Sequence, residues 1–96
     1  MDYKTPSPRY LPLNTNYTAT PVLLIDTKAP LKDLHACADM RFRLATRFLD
    51  SLAHMRLGDV QDHDLKAIVS QAYMLLQEGC DVNQVVEQRL IQPNAD

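Results

Sequence analysis

The chain has only two glycines and two cysteines, and no long apolar run. Each shortage excludes a class of function. A phosphate-cradling loop needs clustered glycines, and Gly58 and Gly79 stand far apart. Cys37 and Cys80 form no CxxC pair and no dense framework, so neither a disulfide scaffold nor a cysteine zinc site is offered. No segment approaches the ~20 apolar residues that span a bilayer. The N-terminal stretch is polar and shows no apolar signal-peptide core, which together with the sparse thiols predicts a cytoplasmic protein.

Catalytic groupings are also missing. No serine sits in a nucleophile elbow. His35, His54 and His63 share no ligand spacing with one another or with the cysteines. The histidines read as surface residues, and Cys37 and Cys80 as small hydrophobes at the edges of apolar faces. The sequence therefore predicts no enzyme, no catalytic, cofactor-binding or metal residues, and no cofactor. A net charge of −2, with no basic cluster set apart from acidic residues, makes nucleic acid an unfavoured partner.

The 96 residues allow one domain at most. Residues 1–20 carry prolines and no sustained apolar period, and read as an extended or disordered arm. Residues 91–96 read as a frayed tail. The domain proper, residues 21–90, has roughly 70 residues, a size that is marginal alone and often needs a staple, a metal or a partner chain.

Within it, Val22, Leu23, Leu24 and Ile25 form the one run that reads as a β-strand, and no second strand is evident. In a two-fold dimer, Val22–Asp26 can pair with its own copy as an antiparallel ribbon. The other reading is an extended segment lying along its own helices.

Two helical periods follow. Leu31, Leu34, Ala38, Phe42, Ala45, Leu49 and Leu52 step by three and four, giving a helix from Leu31 to about Leu57. Pro30 suits its start, and Gly58 suits a left-handed stop. Leu65, Ile68, Val69, Ala72, Leu75, Leu76, Gly79, Val82, Val86 and Leu90 give a second helix from about Asp62, capped by Asp59 or Asp62. Gly79 on its apolar face points to a close approach, or to a break at QEGCD. The short connection makes the helices antiparallel. The predicted fold is all-α: a two-helix hairpin preceded by one short strand, completed as a dimeric four-helix core.

Helix one carries a second stripe. Cys37, Leu44, Phe48 and Met55 lie about 90° around from the first. One partner helix cannot cover both stripes, and an exposed patch of phenylalanine and methionine marks an interaction surface. Arg41 projects between the stripes, as an interface anchor or as a snorkelling stem. The candidate partner-binding residues are Arg41, Leu44, Phe48 and Met55. Asp39–Arg43 and Arg47–Asp50 read as local ion pairs on a solvated face.

Two function classes fit this layout. The first is a protein-binding module that occupies a partner's surface. The second is a DNA-binding dimer of ribbon–helix–helix type, which has shorter helices and offers polar or basic strand residues to the groove. "TATPVLLIDTKAPLKDLHACADMRFRLATRFLDSLA", followed by "DLKAIVSQAYMLLQEGCDVNQVVEQRL", resembles a family of small pseudomonad strand-plus-helical-hairpin proteins. That family includes a quorum-sensing antiactivator directed at the regulator LasR. The resemblance implies a homodimer that binds the ligand-binding domain of a LuxR-type transcription factor and blocks its dimerisation and DNA binding.

Overall fold

The computed structural model describes residues 8–56, 58 and 61–91. Its elements are β1 (Tyr10–Pro12), β2 (Leu24–Asp26), α1 (Leu31–Ala53) and α2 (Asp62–Ile91). The two helices pack into a hairpin, and the strands form a two-stranded antiparallel sheet. Arg89 near the end of α2 donates to the carbonyls of Thr27 and Ala29, just before α1 (3.1 and 2.6 Å). The end of α2 thus lies beside the start of α1, as an antiparallel hairpin requires.

The sheet corrects the expectation of a single strand. Tyr10 stands opposite Asp26, Leu11 opposite Ile25, and Pro12 opposite Leu24. The proline-rich stretch supplies a strand because Pro12 lies where its missing N–H costs no ladder bond. β2 also starts later than its apolar run. Val22 and Leu23 precede it, and their N–H groups donate to Asn16 Oδ1 (2.8 and 2.7 Å). Asn16 Nδ2 donates to the carbonyls of Leu13 and Leu23 (2.8 and 2.9 Å), so one asparagine closes the loop between the strands. At the other end Arg9 grips Asp26 through two bonds of 3.0 and 3.1 Å. The Arg9 guanidinium, with help from the Lys28 N–H, holds the Asp26 carboxyl below the usual carboxylate range.

α1 starts directly after Pro30, whose carbonyl accepts from the N–H groups of Asp33 and Leu34 (2.9 and 3.0 Å). It ends at Ala53, short of the expected Leu57, which lies outside the described residues. No described glycine takes a left-handed conformation, so Gly58 is not the stop. The helix closes instead by tightening its last turn: His54 N–H reaches Asp50 and Ser51, and Met55 N–H reaches Leu52. α2 opens on the Gln61 carbonyl, which accepts from Asp64 and Leu65 (both 3.0 Å). Asp62 therefore sits inside the first turn with Asp64, where acids suit the helix dipole. The other capping candidate, Asp59, lies outside the described residues.

α2 is continuous through Gly79. The ring of Phe42 packs on that glycine, the close approach that its place on the apolar face predicts. The core joins Ile25, Leu34, Ala38, Val82, Val85 and Val86, with Leu13, Ala29, Leu31, Cys37 and Phe42 against it. This cluster lies where the sheet covers the hairpin. Toward the interhelical connection the buried apolar residues are Ala45 and Ala72. Leu49, Val69, Leu76 and Leu90, which fit the helical periods, are exposed. Two helices meet along a line, and the sheet adds a third layer at one end only. No described helix is long and apolar enough to cross a membrane.

Candidate interaction surface

The sheet is pinned to α2 by a buried carboxylate. Asp81 is only 7% exposed. It accepts from the Asn14 N–H at 2.8 Å, from Asn14 Nδ2 at 2.7 Å and from Gln77 Nε2 at 2.9 Å. One helical turn earlier, Glu78 Oε2 accepts from the Thr15 hydroxyl at 3.3 Å. Glu78 Oε1 faces Arg41 Nε across the hairpin at 3.0 Å. These contacts mark how far the N-terminal segment reaches along this side of α2.

Beyond them the same side carries partly exposed apolar residues. On α1, Leu44 and Phe48 follow Arg41 by one and two turns. On α2, Met74 precedes Glu78 by one turn. Since Arg41 and Glu78 meet, these neighbours flank one stretch of the hairpin. Leu44 is 38% and Met74 37% exposed, and Phe48 is half-buried. Met55, 39% exposed, stands in the turn just past the end of α1. Leu44 and Phe48 are thus brought to one apolar face, and Met55 lies beyond its end. Met74 joins them although the helical period does not select it; only the position of Glu78 reveals its side.

Arg41 is placed differently from its three companions. Besides the bond to Glu78, its Nη1 lies 3.3 Å from the Cys37 carbonyl and 3.1 Å from Cys37 Sγ. Its guanidinium ties the two helices together. Val22, Leu23 and Leu24 are exposed, and Ile25 is buried against the helices. Asn14, Asn16, Asp81 and Val85 are structural residues that no periodic pattern marks. Asn14 and Asn16 belong to a segment whose prolines mask a strand, Asp81 meets Asn14 across 67 residues of sequence, and Val85 is buried outside the interhelical period.

Groups with acid–base or ligand chemistry do not converge. Among the described residues no three His, Cys, Asp or Glu side chains are placed to hold a metal. Cys37 and Cys80 are free thiols, and Cys80 is exposed, contrary to its expected burial, because its side of α2 meets neither α1 nor the sheet. His35, His54 and His63 are exposed. Asp39 pairs with Arg43 at 2.8 Å, whereas Asp50 lies 3.5 Å from His54 in place of the expected pair with Arg47. No protein-family model, no curated protein and no solved structure matches this chain.

Proposed function

We propose that this chain is a non-enzymatic protein-binding module that works as a homodimer and acts by covering a partner's surface. The observation that carries this reading is the apolar face of Leu44, Phe48 and Met74, partly exposed beyond the sheet. Burying one such side chain contributes about 1.5–3 kcal/mol. Exposed apolar surface of this kind marks association sites. A phenylalanine anchor beside flexible methionines suits a mostly apolar groove.

The resemblance to the pseudomonad family supplies the class of partner: the ligand-binding domain of a cytoplasmic LuxR-type transcription factor. Occupying that domain's surface would block its dimerisation and, with it, DNA binding. In the homodimer two hairpins side by side form a four-helix layer, with the strands joined across the dimer. The ribbon–helix–helix alternative is less favoured. Helices of 23 and 30 residues are long for it, and β2 reads LID with no basic residue.

The test is a calorimetric titration of a purified LuxR-type ligand-binding domain from the native host, with wild-type protein and with Phe48→Ala. Saturable binding that the variant weakens by ~30-fold or more, as for a hot spot, supports the reading. Absence of binding removes this partner class.

A further inference from the structure

β2 has one edge paired with β1 and one edge open. We infer that the open edge is where two copies of this chain join, with Leu24 of each copy at the two-fold axis. This deepens the homodimer of the proposed function and is independent of the external partner's identity.

The hydrogen bonds fix which groups face outward. Leu13 N–H donates to Leu23 O at 3.1 Å, and Thr27 N–H donates to Arg9 O at 2.7 Å. In an antiparallel pair the bonded positions alternate, so Ile25 turns its backbone toward Leu11, while Leu24 and Asp26 turn theirs away from β1. Among the described residues nothing bonds to the N–H or C=O of Leu24, to the C=O of Val22 or to the N–H of Asp26. The side chains there are exposed as well, Leu24 at 50% and Val22 at 73%. An open strand edge of this kind is a template for another strand.

The edge is self-complementary in one register. With Leu24 opposite the second copy's Leu24, the two residues exchange both N–H···O bonds. Asp26 N–H then meets the second copy's Val22 C=O, and the reverse contact repeats it. Two groups at this edge are left over, Val22 N–H and Asp26 C=O. Both are already engaged within their own chain, by Asn16 Oδ1 at 2.8 Å and by Ala29 N–H at 3.2 Å. Moving the axis to Ile25 would call on the occupied Asp26 carbonyl. Moving it to Leu23 would call on the occupied Val22 N–H. The Leu24-centred register makes four bonds from open groups, and each of the other two makes only two.

Two further features fit a second copy. The far edge of the sheet carries Pro12, which lacks an N–H, so association closes at two chains instead of growing into a fibre. The two-fold axis of an antiparallel pair is normal to the sheet. Both copies of Ile25 therefore face the same side, and both helical hairpins lie under one four-stranded sheet ordered β1-β2-β2-β1.

The experiment uses the full chain. Light scattering at micromolar concentration gives the mass, expected at about twice 10.9 kDa. Leu24→Pro removes an N–H that the β1–β2 pair does not use. It should keep its helical circular dichroism and raise the dimer dissociation constant by about a hundredfold, for two lost hydrogen bonds. The register is read separately, in protein carrying Cys37→Ser and Cys80→Ser. There Leu24→Cys should oxidise to a linked pair, since bonded positions face each other at about 5.5 Å between Cα atoms. Val22→Cys should not link. If Leu24→Pro fails to fold, the cross-linking pair decides. A wild-type monomer overturns both the inference and the homodimer. A dimer that Leu24→Pro leaves at full strength, or that links through Val22→Cys and not Leu24→Cys, overturns the inference and leaves the homodimer standing.

Discussion

The ring of Phe42 lies over Gly79 so closely that a Cβ there would stand 2.7 Å from Cε1 and 3.0 Å from Cδ1. Glycine costs about 1 kcal/mol relative to alanine in a helix interior. Overpacking typically costs about 1–3 kcal/mol, and Phe42 is held against the core, so the clash outweighs the propensity. Gly79→Ala is predicted to lower stability by about 1 kcal/mol in denaturant unfolding. Pairing it with Phe42→Leu should recover much of the loss. A stabilised single variant would mean that the ring moves aside freely.

Asp81 joins α2 to the N-terminal segment through the Asn14 N–H and side-chain amide. Asp81→Ala leaves these donors unpaired, and bonds to a charged acceptor are worth about 1.5–3 kcal/mol each. The predicted loss is about 2–4 kcal/mol, with faster amide exchange in β1. Deleting residues 1–16 should also lower the thermal midpoint markedly, because Leu13 leaves the core with it. An unchanged midpoint in both proteins would show that the segment contributes nothing to folding.

The helices were legible because period and acidic first turn agree at each start, with Pro30 as a further signal at the first. The close approach at Gly79 was legible for the same reason: an interior glycine on an apolar face asks for a neighbour. β1 was not legible. Its three residues include Pro12, and its pairing rests on Arg9, Asn16 and Asp81, which are distant in sequence or silent in a periodic pattern. Leu44 and Phe48 could be read as a spare stripe. Arg41 could be placed between the stripes, but its partner Glu78 lies on the other helix, where α1's period gives no information. Met55 fell off the stripe because α1 ends at Ala53.

The Arg9–Asp26 pair predicts a pH response. Asp26 titrates below its usual range in the folded protein, so its folded pKa lies under its unfolded one. Its contribution is complete above the unfolded value and is lost as pH falls through the folded value. A carboxyl-carbon NMR titration should show Asp26 protonating below the ordinary aspartate range. Arg9→Gln should move it up toward that range. An ordinary midpoint in the wild type would mean that the pair does not persist in solution.

Arg41 and Phe48 are predicted to separate folding from binding. Arg41→Ala breaks the interhelical pair and leaves Glu78, 17% exposed at its side chain, without its cation. Because Arg41 itself is 33% exposed, the predicted cost is about 1–2 kcal/mol of stability, well under that of a fully buried pair. Phe48→Ala should cost about 1 kcal/mol of stability, against about 3–5 for a fully buried phenylalanine, and remove most partner binding. Chemical unfolding and partner titration on both variants check this. A Phe48→Ala loss in the full core range would place that ring inside the fold.

The most direct measurement puts a photoreactive phenylalanine analogue at position 48 of the full chain in the native host. Irradiation should yield a discrete adduct with a different protein, and excess wild-type chain should compete it away. An adduct formed only with a second copy of the chain, or no adduct at all while the protein remains folded, would contradict the binding face proposed for this hairpin.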